Sequence, residues 1–128
     1  MRIRTILAAI ILTFSAAGVA LAGGLPPKVG SFTGDSGHVT TGTAMLVKTA
    51  AGYEIHLGDD FVFDGAPDPR IGFGKDGKFV DATDFEQLQS NTGEQIYIVP
   101  ASIKADTFDT IYVWCRKFSV PLGHAVLN

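Results

Sequence analysis

The chain of 128 residues has the length of about one domain, with 46% hydrophobic residues, 18% charged residues and a formal net charge of −3. This composition excludes a disordered chain, and the acidic balance disfavours nucleic-acid binding, which needs a basic surface. Fifteen glycines and six prolines without a period indicate a turn-rich β domain. The single cysteine excludes an internal disulfide framework and an all-cysteine zinc site.

The N-terminus has the pattern of a secretory signal peptide. Arg2 and Arg4 precede an apolar run over residues 6–19, and small residues end at a cleavage site after Ala22. The alternative is an uncleaved membrane anchor, but the run is shorter than the roughly 20 residues that span a bilayer.

The sequence therefore predicts three parts: a signal peptide at 1–22, an extended leader at 23–29 and one β domain at 30–128. We expect an exported protein, periplasmic or extracellular, with no transmembrane span after signal cleavage.

Short strands with period-two alternation follow one another along the domain. They are predicted at 29–32, 38–49 with a bend at Gly42, 53–57, 61–63, 71–74, 95–99 and 111–115, with one or two more in 118–127. Residues 84–88 are predicted to form one helical turn. Because no crossover helix is visible, we expect an all-β, antiparallel sandwich or barrel-like domain. Its core is predicted to include Ile96, Ile98, Ile111 and Val113.

Motifs of known enzyme classes do not occur in the chain. There is no hydrolase or nucleotide-binding motif, and the lone G-x-G at Gly72–Gly74 lacks a following helix. The sequence therefore does not indicate a stand-alone enzyme. A covalent c-type haem is excluded because the chain has no C-x-x-C-H motif. His38 and His124 are candidate axial ligands for a non-covalent haem. The favoured alternative is a His38 bonded to a nearby backbone carbonyl and a His124 that points outward beside Gly123, so no cofactor is assigned.

Several aspartates fall close together in the middle of the chain. Asp60, Asp64 and Asp68 are weak candidates for a calcium site, since calcium takes several oxygen ligands from one loop. Their spacing does not match an EF-hand, and aspartate is common in turns. We therefore favour turn residues and predict no metal site.

Cys115 has two interpretations. Alternation places it with Ile111 and Val113 on one strand face, which predicts a buried, inert thiol. The neighbouring cations Arg116 and Lys117 would instead favour a reactive thiolate. Sequence cannot decide between these opposing effects, and we take a partly accessible Cys115 as the expectation to test.

The segment around Cys115 also carries a family resemblance. The motif W-C-x-x-F at Trp114–Phe118, followed by G-x-A-x-L at Gly123–Leu127, resembles the C-terminal signature of the electron-transfer DM-thirteen (DM13) domain. Three further segments match in the right order. They are Phe32 with His38-x-x-x-Gly42, the D-G-A-P-D-P run at 64–69, and residues 88–100.

The resemblance implies an extracellular β domain whose shared cysteine is suspected of a redox role, and which accompanies DOMON domains in some relatives. By this analogy Cys115 is the candidate redox thiol of an electron-transfer module. Its supporting residues would be Trp114, Arg116, Lys117, His38 and His124. The partner would be an unknown redox or cell-envelope protein. The alternative is a non-catalytic binding or structural module in which Cys115 is buried.

Overall fold

The computed structural model describes residues 25–128, so the predicted signal peptide and the start of the leader lie outside the described residues. Over this range the chain is mostly antiparallel β structure, as predicted. No helix in residues 25–128 is both long and apolar enough to cross a membrane. The strands are β1 (Lys28–Gly34), β2 (Thr40–Thr41), β3 (Thr43–Thr49), β4 (Gly52–Leu57), β5 (Val62–Phe63), β6 (Pro69–Lys75), β7 (Lys78–Phe79), β8 (Glu86–Gln87), β9 (Gln95–Ile98), β10 (Thr110–Cys115) and β11 (Val120–Val126).

One curled half-barrel sheet forms most of the domain. Its strands follow the order β7-β6-β10-β11-β1-β3-β4-β9, with β8 also paired to β6. Strand β1 joins the two halves of the sheet. Its first residues, Lys28–Ser31, pair with β3, and its last, Phe32–Gly34, pair with β11. The predicted bend at Gly42 separates β2 from β3, and β2 pairs with β5 in a small second sheet.

The core contains the inward residues of most strands. Ile111 and Val113 are fully buried, as predicted from the alternation in β10. The largest fully buried side chains around them are Tyr97, Phe61, Phe73, Ile55, Leu57, Ile71 and Leu122.

The prediction that Ile96 and Ile98 belong to the core is wrong, because β9 presents its other face to the interior. Ile96 is 47% exposed and Ile98 is 75% exposed, whereas Gln95 and Tyr97 are buried. The Tyr97 hydroxyl donates to Gln95 Oε1 at 2.6 Å, and Gln95 Nε2 donates to the Ser90 carbonyl at 2.8 Å. Burial raises the pKa of Tyr97 to about 12. Because its amide is hydrogen-bonded, Gln95 is accommodated in the protein interior. The hydrophobicity of the sequence alone does not reveal which face of β9 is buried.

The helical turn predicted at residues 84–88 is also wrong. A short 3₁₀ helix lies earlier, at Asp81–Thr83, and Glu86 and Gln87 form strand β8 against β6. The buried Thr83 hydroxyl donates to the Phe73 carbonyl and accepts from the Phe73 amide. This long-range anchoring to β6 draws the following residues into the sheet.

Candidate functional site

Strand β10 divides its side chains between two faces of the sheet, as the alternation predicts. Cys115 lies on the same buried face as Ile111 and Val113, while Trp114 is half-buried on the other face. In the sheet Cys115 is opposite Pro69 of β6 and Val120 of β11. It is therefore placed between two strands at the end of β10, next to the loop that leads into β6.

The thiol of Cys115 is covered by that loop. Its side chain is 1% exposed, and Sγ donates to the Pro67 carbonyl oxygen at 3.2 Å. The expectation of a partly accessible Cys115 is therefore wrong. The physical reason is the segment at residues 64–69, which folds over the end of β10. Pro67 itself is exposed, so the sulfur lies a single loop below the surface.

The two cations next to Cys115 make their contacts elsewhere. Arg116 and Lys117 both lie in the exposed turn between β10 and β11. Arg116 Nε donates to Asp84 Oδ2 at 2.9 Å, and Lys117 Nζ lies 5.5 Å from the centre of the Phe118 ring. Strand β10 ends at Cys115, so its alternation does not extend to Lys117.

Asp84 links strand β6 to the residue that follows Cys115. Its carboxylate accepts from Arg70 Nε and from Arg116 Nε, each at 2.9 Å, and its side chain is only 11% exposed. Burial on its own would raise the pKa of Asp84, but the hydrogen bonds and charges of Arg116 and Arg70 outweigh it and lower the pKa. The bridge thus fastens the end of β10 to β6.

Replacing Asp84 by Asn should lower the free energy of unfolding by about 1–3 kcal/mol at pH 7, because two charge-assisted hydrogen bonds are weakened. The folded-state pKa of Asp84 lies below its unfolded value, so this stabilisation is complete above about pH 4 and disappears as the pH falls through the folded pKa. Urea denaturation of the wild type and of Asp84→Asn at pH 7 and at pH 3 measures the loss of unfolding free energy at each pH. Asp59→Asn, at an exposed position, is the control. An equal loss for Asp84→Asn at both pH values would contradict the bridge.

On the other face of β10, aromatic rings form a continuous cluster. Trp114 stacks on Phe79 with ring centres 4.2 Å apart and planes 11° apart, and Phe79 meets the edge of Tyr112 at 5.7 Å. The G-x-G of β6 supports this cluster. A Cβ on Gly72 would lie 2.8 Å from Phe79, and a Cβ on Gly74 would overlap the Tyr112 ring. The motif therefore serves packing in this structure.

His38 and His124 each pair with a different carboxylate. His38 Nδ1 lies 2.8 Å from Asp64 Oδ1, and His124 Nδ1 lies 2.7 Å from Asp35 Oδ2. Both histidines are partly buried and held by these contacts. The backbone carbonyl predicted as the partner of His38 is therefore wrong, because the Asp64 carboxylate takes that place. Within residues 25–128 neither histidine is hydrogen-bonded to Cys115.

The three candidate aspartates each have a different partner. Asp60 accepts from the Thr43 amide and hydroxyl, and Asp64 accepts from the Val39 amide as well as facing His38. These hydrogen bonds lower the pKa values of Asp60 and Asp64. Asp68 has a left-handed backbone, with φ 50°, and lies 3.9 Å from Arg70. Residues 25–128 contain no group of three or more His, Cys, Asp or Glu residues placed to hold a metal ion.

Residues 31–127 match the sequence model of the family described as Electron transfer DM13. The chain belongs to the electron-transfer DM13 family. No curated protein and no solved structure gives a significant match.

The match covers the DM13 domain from within β1 to the residue after β11, and so includes Cys115 and its covering loop. Sequence reasoning found Cys115 and Trp114 but missed Phe79 and Asp84. A signal for Phe79 existed, since two glycines one residue apart in a strand leave room for large rings. Asp84 had no such signal, because its two arginines lie 14 and 32 residues away.

Proposed function

We propose that this DM13 domain is an exported redox module that exchanges electrons with a partner protein of the cell envelope through Cys115. The proposal is supported mainly by one observation. In a chain of the electron-transfer DM13 family, the single cysteine sulfur lies directly beneath an exposed loop, hydrogen-bonded to the Pro67 carbonyl.

Access to the sulfur requires residues 65–68, the part of the loop between the anchored Asp64 and strand β6, to open. Only one hydrogen bond holds the thiol to the loop, and Asp68 retains a left-handed backbone that costs roughly 1 kcal/mol in a non-glycine residue. Arg116 N also donates to the Asp68 carbonyl, at 3.3 Å. Opening of residues 65–68 breaks the hydrogen bonds of Pro67 and Asp68 and the Arg70–Asp68 ion pair, and it moves Ala66 off the core. Strand β6 begins at Pro69, so its pairing with β10 is kept and a docked partner is able to reach the sulfur.

The chemical step that fits one cysteine is thiol–disulfide exchange with a disulfide of the partner. The Cys115 thiol gives its proton to water, and the thiolate attacks one partner sulfur. A new S–S bond joins Cys115 to that sulfur, the partner's own S–S bond breaks, and its other sulfur leaves as a thiolate. Cys115 is oxidised by this step, and the departing partner sulfur is reduced.

Glutathione disulfide serves as the model oxidant in a direct test. The folded protein is incubated in glutathione redox buffers without denaturant, and the mass of the intact chain is recorded. We expect one glutathione adduct on the wild type, reversed by added thiol, and none on Cys115→Ser. Circular dichroism and the Tm of Cys115→Ser verify the fold, since serine keeps a donor toward the Pro67 carbonyl. Failure of the folded wild type to form the adduct, while the unfolded chain forms it, would overturn the redox role.

A second candidate function is a binding or structural module in which Cys115 is only packed. The observation that favours it is the 1% exposure of Cys115 beside fully buried Ile111 and Val113. Buried thiols of this kind behave as small hydrophobes. The same experiment separates the candidates, because a packed thiol reacts only when the whole domain unfolds.

Export is the third part of the proposal, supported by the signal-peptide pattern that ends at Ala22. We expect the mature protein in the periplasmic or extracellular fraction, with Gly23 as its first residue. Mass spectrometry of the fractionated cells reads the N-terminus. Recovery of the full-length chain from membranes would contradict cleavage.

A further inference from the structure

A pocket of about 280 Å³ opens on the face of β10 and β11 that points away from Cys115. It therefore stands apart from the redox proposal. The side chains that matter for its chemistry are Asp35, Asp109, Tyr112 and His124, with Pro121 and Val126 as apolar wall.

Tyr112 forms the buried part of this pocket. The residue is only 5% exposed, and its hydroxyl has no hydrogen-bond partner among residues 25–128. Every fully buried side-chain nitrogen or oxygen in the same range does have a partner. The Tyr112 hydroxyl must therefore reach the surface, and the pocket that it lines is where it does so. An open tyrosine oxygen at the base of a pocket is a ready hydrogen-bonding group for a ligand.

The walls around this hydroxyl are acidic. Burial, followed by the nearby charges of Asp35 and Asp109, raises the pKa of Tyr112, so both carboxylates act on the same hydroxyl. One oxygen of Asp35 faces His124, and Asp109 accepts from the Asp76 amide and the Thr110 hydroxyl. Lys75 lies close enough to contribute to lowering the pKa of Asp109, but its Nζ donates to the Thr107 carbonyl and it does not line the pocket.

We infer that this pocket binds a protonated primary amine on a short alkyl chain. The ammonium group donates to the Tyr112 hydroxyl and is attracted by Asp35 and Asp109, while the alkyl chain lies against Pro121 and Val126. A primary ammonium fits better than a quaternary one because the Tyr112 oxygen can accept a hydrogen bond. Of these two kinds of ion, the primary one carries N–H donors and the quaternary one does not. The amine belongs either to a small molecule or to a lysine side chain of a partner.

The n-butylammonium ion is the first probe, titrated at pH 7 and low salt into ¹⁵N-labelled protein, with n-butanol as the uncharged control of the same shape. We expect amide shifts confined to β10, β11 and the neighbouring turns, with a Kd of about 1 mM, and none of this with n-butanol. Binding should weaken at high salt, since the carboxylates are partly exposed.

Two variants assign the binding to these residues. Asp109→Asn should raise the Kd by at least about tenfold, and Tyr112→Phe by about three- to tenfold, because the ring remains on Gly74 while the oxygen is lost. Tyr53→Phe, in the other half of the sheet, is the matched control and should bind as the wild type does. Equal binding by Tyr112→Phe and Tyr53→Phe, or equal shifts from butanol and butylammonium, would overturn the site.

A second arm identifies the source of the amine. The blocked peptide acetyl-Gly-Lys-Gly-amide is titrated under the same conditions. Tighter binding of the peptide than of butylammonium assigns the pocket to a lysine of a partner, and the reverse assigns it to a small amine. In either case the dependence on Tyr112 and Asp109 must persist. No saturable binding of either probe up to about 50 mM would refute the inference.

Discussion

The native thiol of Cys115 should react with a disulfide reagent about 10²–10³-fold more slowly than the same thiol in the unfolded chain, because only the open state of the covering loop reacts. The ratio of the two rates gives the population of that open state. The reaction is followed by the colour of the released thiolate, first in buffer and then in increasing urea. Cys115→Ser provides the blank.

The dependence on urea distinguishes loop opening from unfolding. Opening of residues 65–68 exposes little surface, so the rate should hardly change at low urea and should rise steeply only near the unfolding transition. A rate that rises steeply from zero urea would mean that the thiol is reached only by global unfolding, and Cys115 would then be a core residue.

A pair of proline variants sharpens this test. Pro67→Gly should raise the native rate by about two- to fivefold, because glycine increases the conformational freedom of the open loop. Pro100→Gly, at an exposed position after β9, increases the conformational freedom of the unfolded chain in the same way. It does not change the loop that covers Cys115. If both variants accelerate the reaction equally, the thiol depends on global unfolding. If only Pro67→Gly does so, the loop controls access.

Local patterns predicted the part of the fold that local physics determines. The strands 53–57, 71–74 and 111–115 carry alternating or apolar residues between turn residues, and each corresponds to a strand of the sheet. Within β10 the alternation also placed Cys115 on the buried face. The exposure of the thiol was mispredicted because the loop that covers it contains Pro67, which lies 48 positions earlier in the chain.

The errors share a physical origin in long-range polar contacts. Ile96 and Ile98 look like core residues, yet β9 turns Gln95 and Tyr97 inward because each supplies a hydrogen-bond partner for the other. The residues after Asp81–Thr83 become a strand because Thr83 is anchored on Phe73 of β6. In both places a buried polar side chain decides the geometry, and its partner cannot be identified from the hydrophobic pattern.

Gly74→Ala should be strongly destabilising, with a loss of at least about 2 kcal/mol of unfolding free energy. A Cβ at this position would overlap the Tyr112 ring and lie 2.6 Å from the Lys78 carbonyl oxygen. The carbonyl belongs to the paired strand β7, so it has little freedom to move away. Urea denaturation measures the loss. Gly37→Ala is the control, because its Cβ would meet nothing within 4 Å and only its left-handed backbone, φ 76°, is strained, by about 1–2 kcal/mol.

A double-mutant cycle shows how much of that loss comes from Tyr112. In the Tyr112→Ala background the ring is absent, so Gly74→Ala should cost at least about 1 kcal/mol less than it does in the wild type. The remaining cost reports the contact with the Lys78 carbonyl. Equal costs in the two backgrounds would mean that the Tyr112 ring does not rest on Gly74.

The predicted coupling also has a functional consequence. Because the ring is supported there, Gly74→Ala should displace the Tyr112 hydroxyl and weaken butylammonium binding in whatever fraction of the protein remains folded.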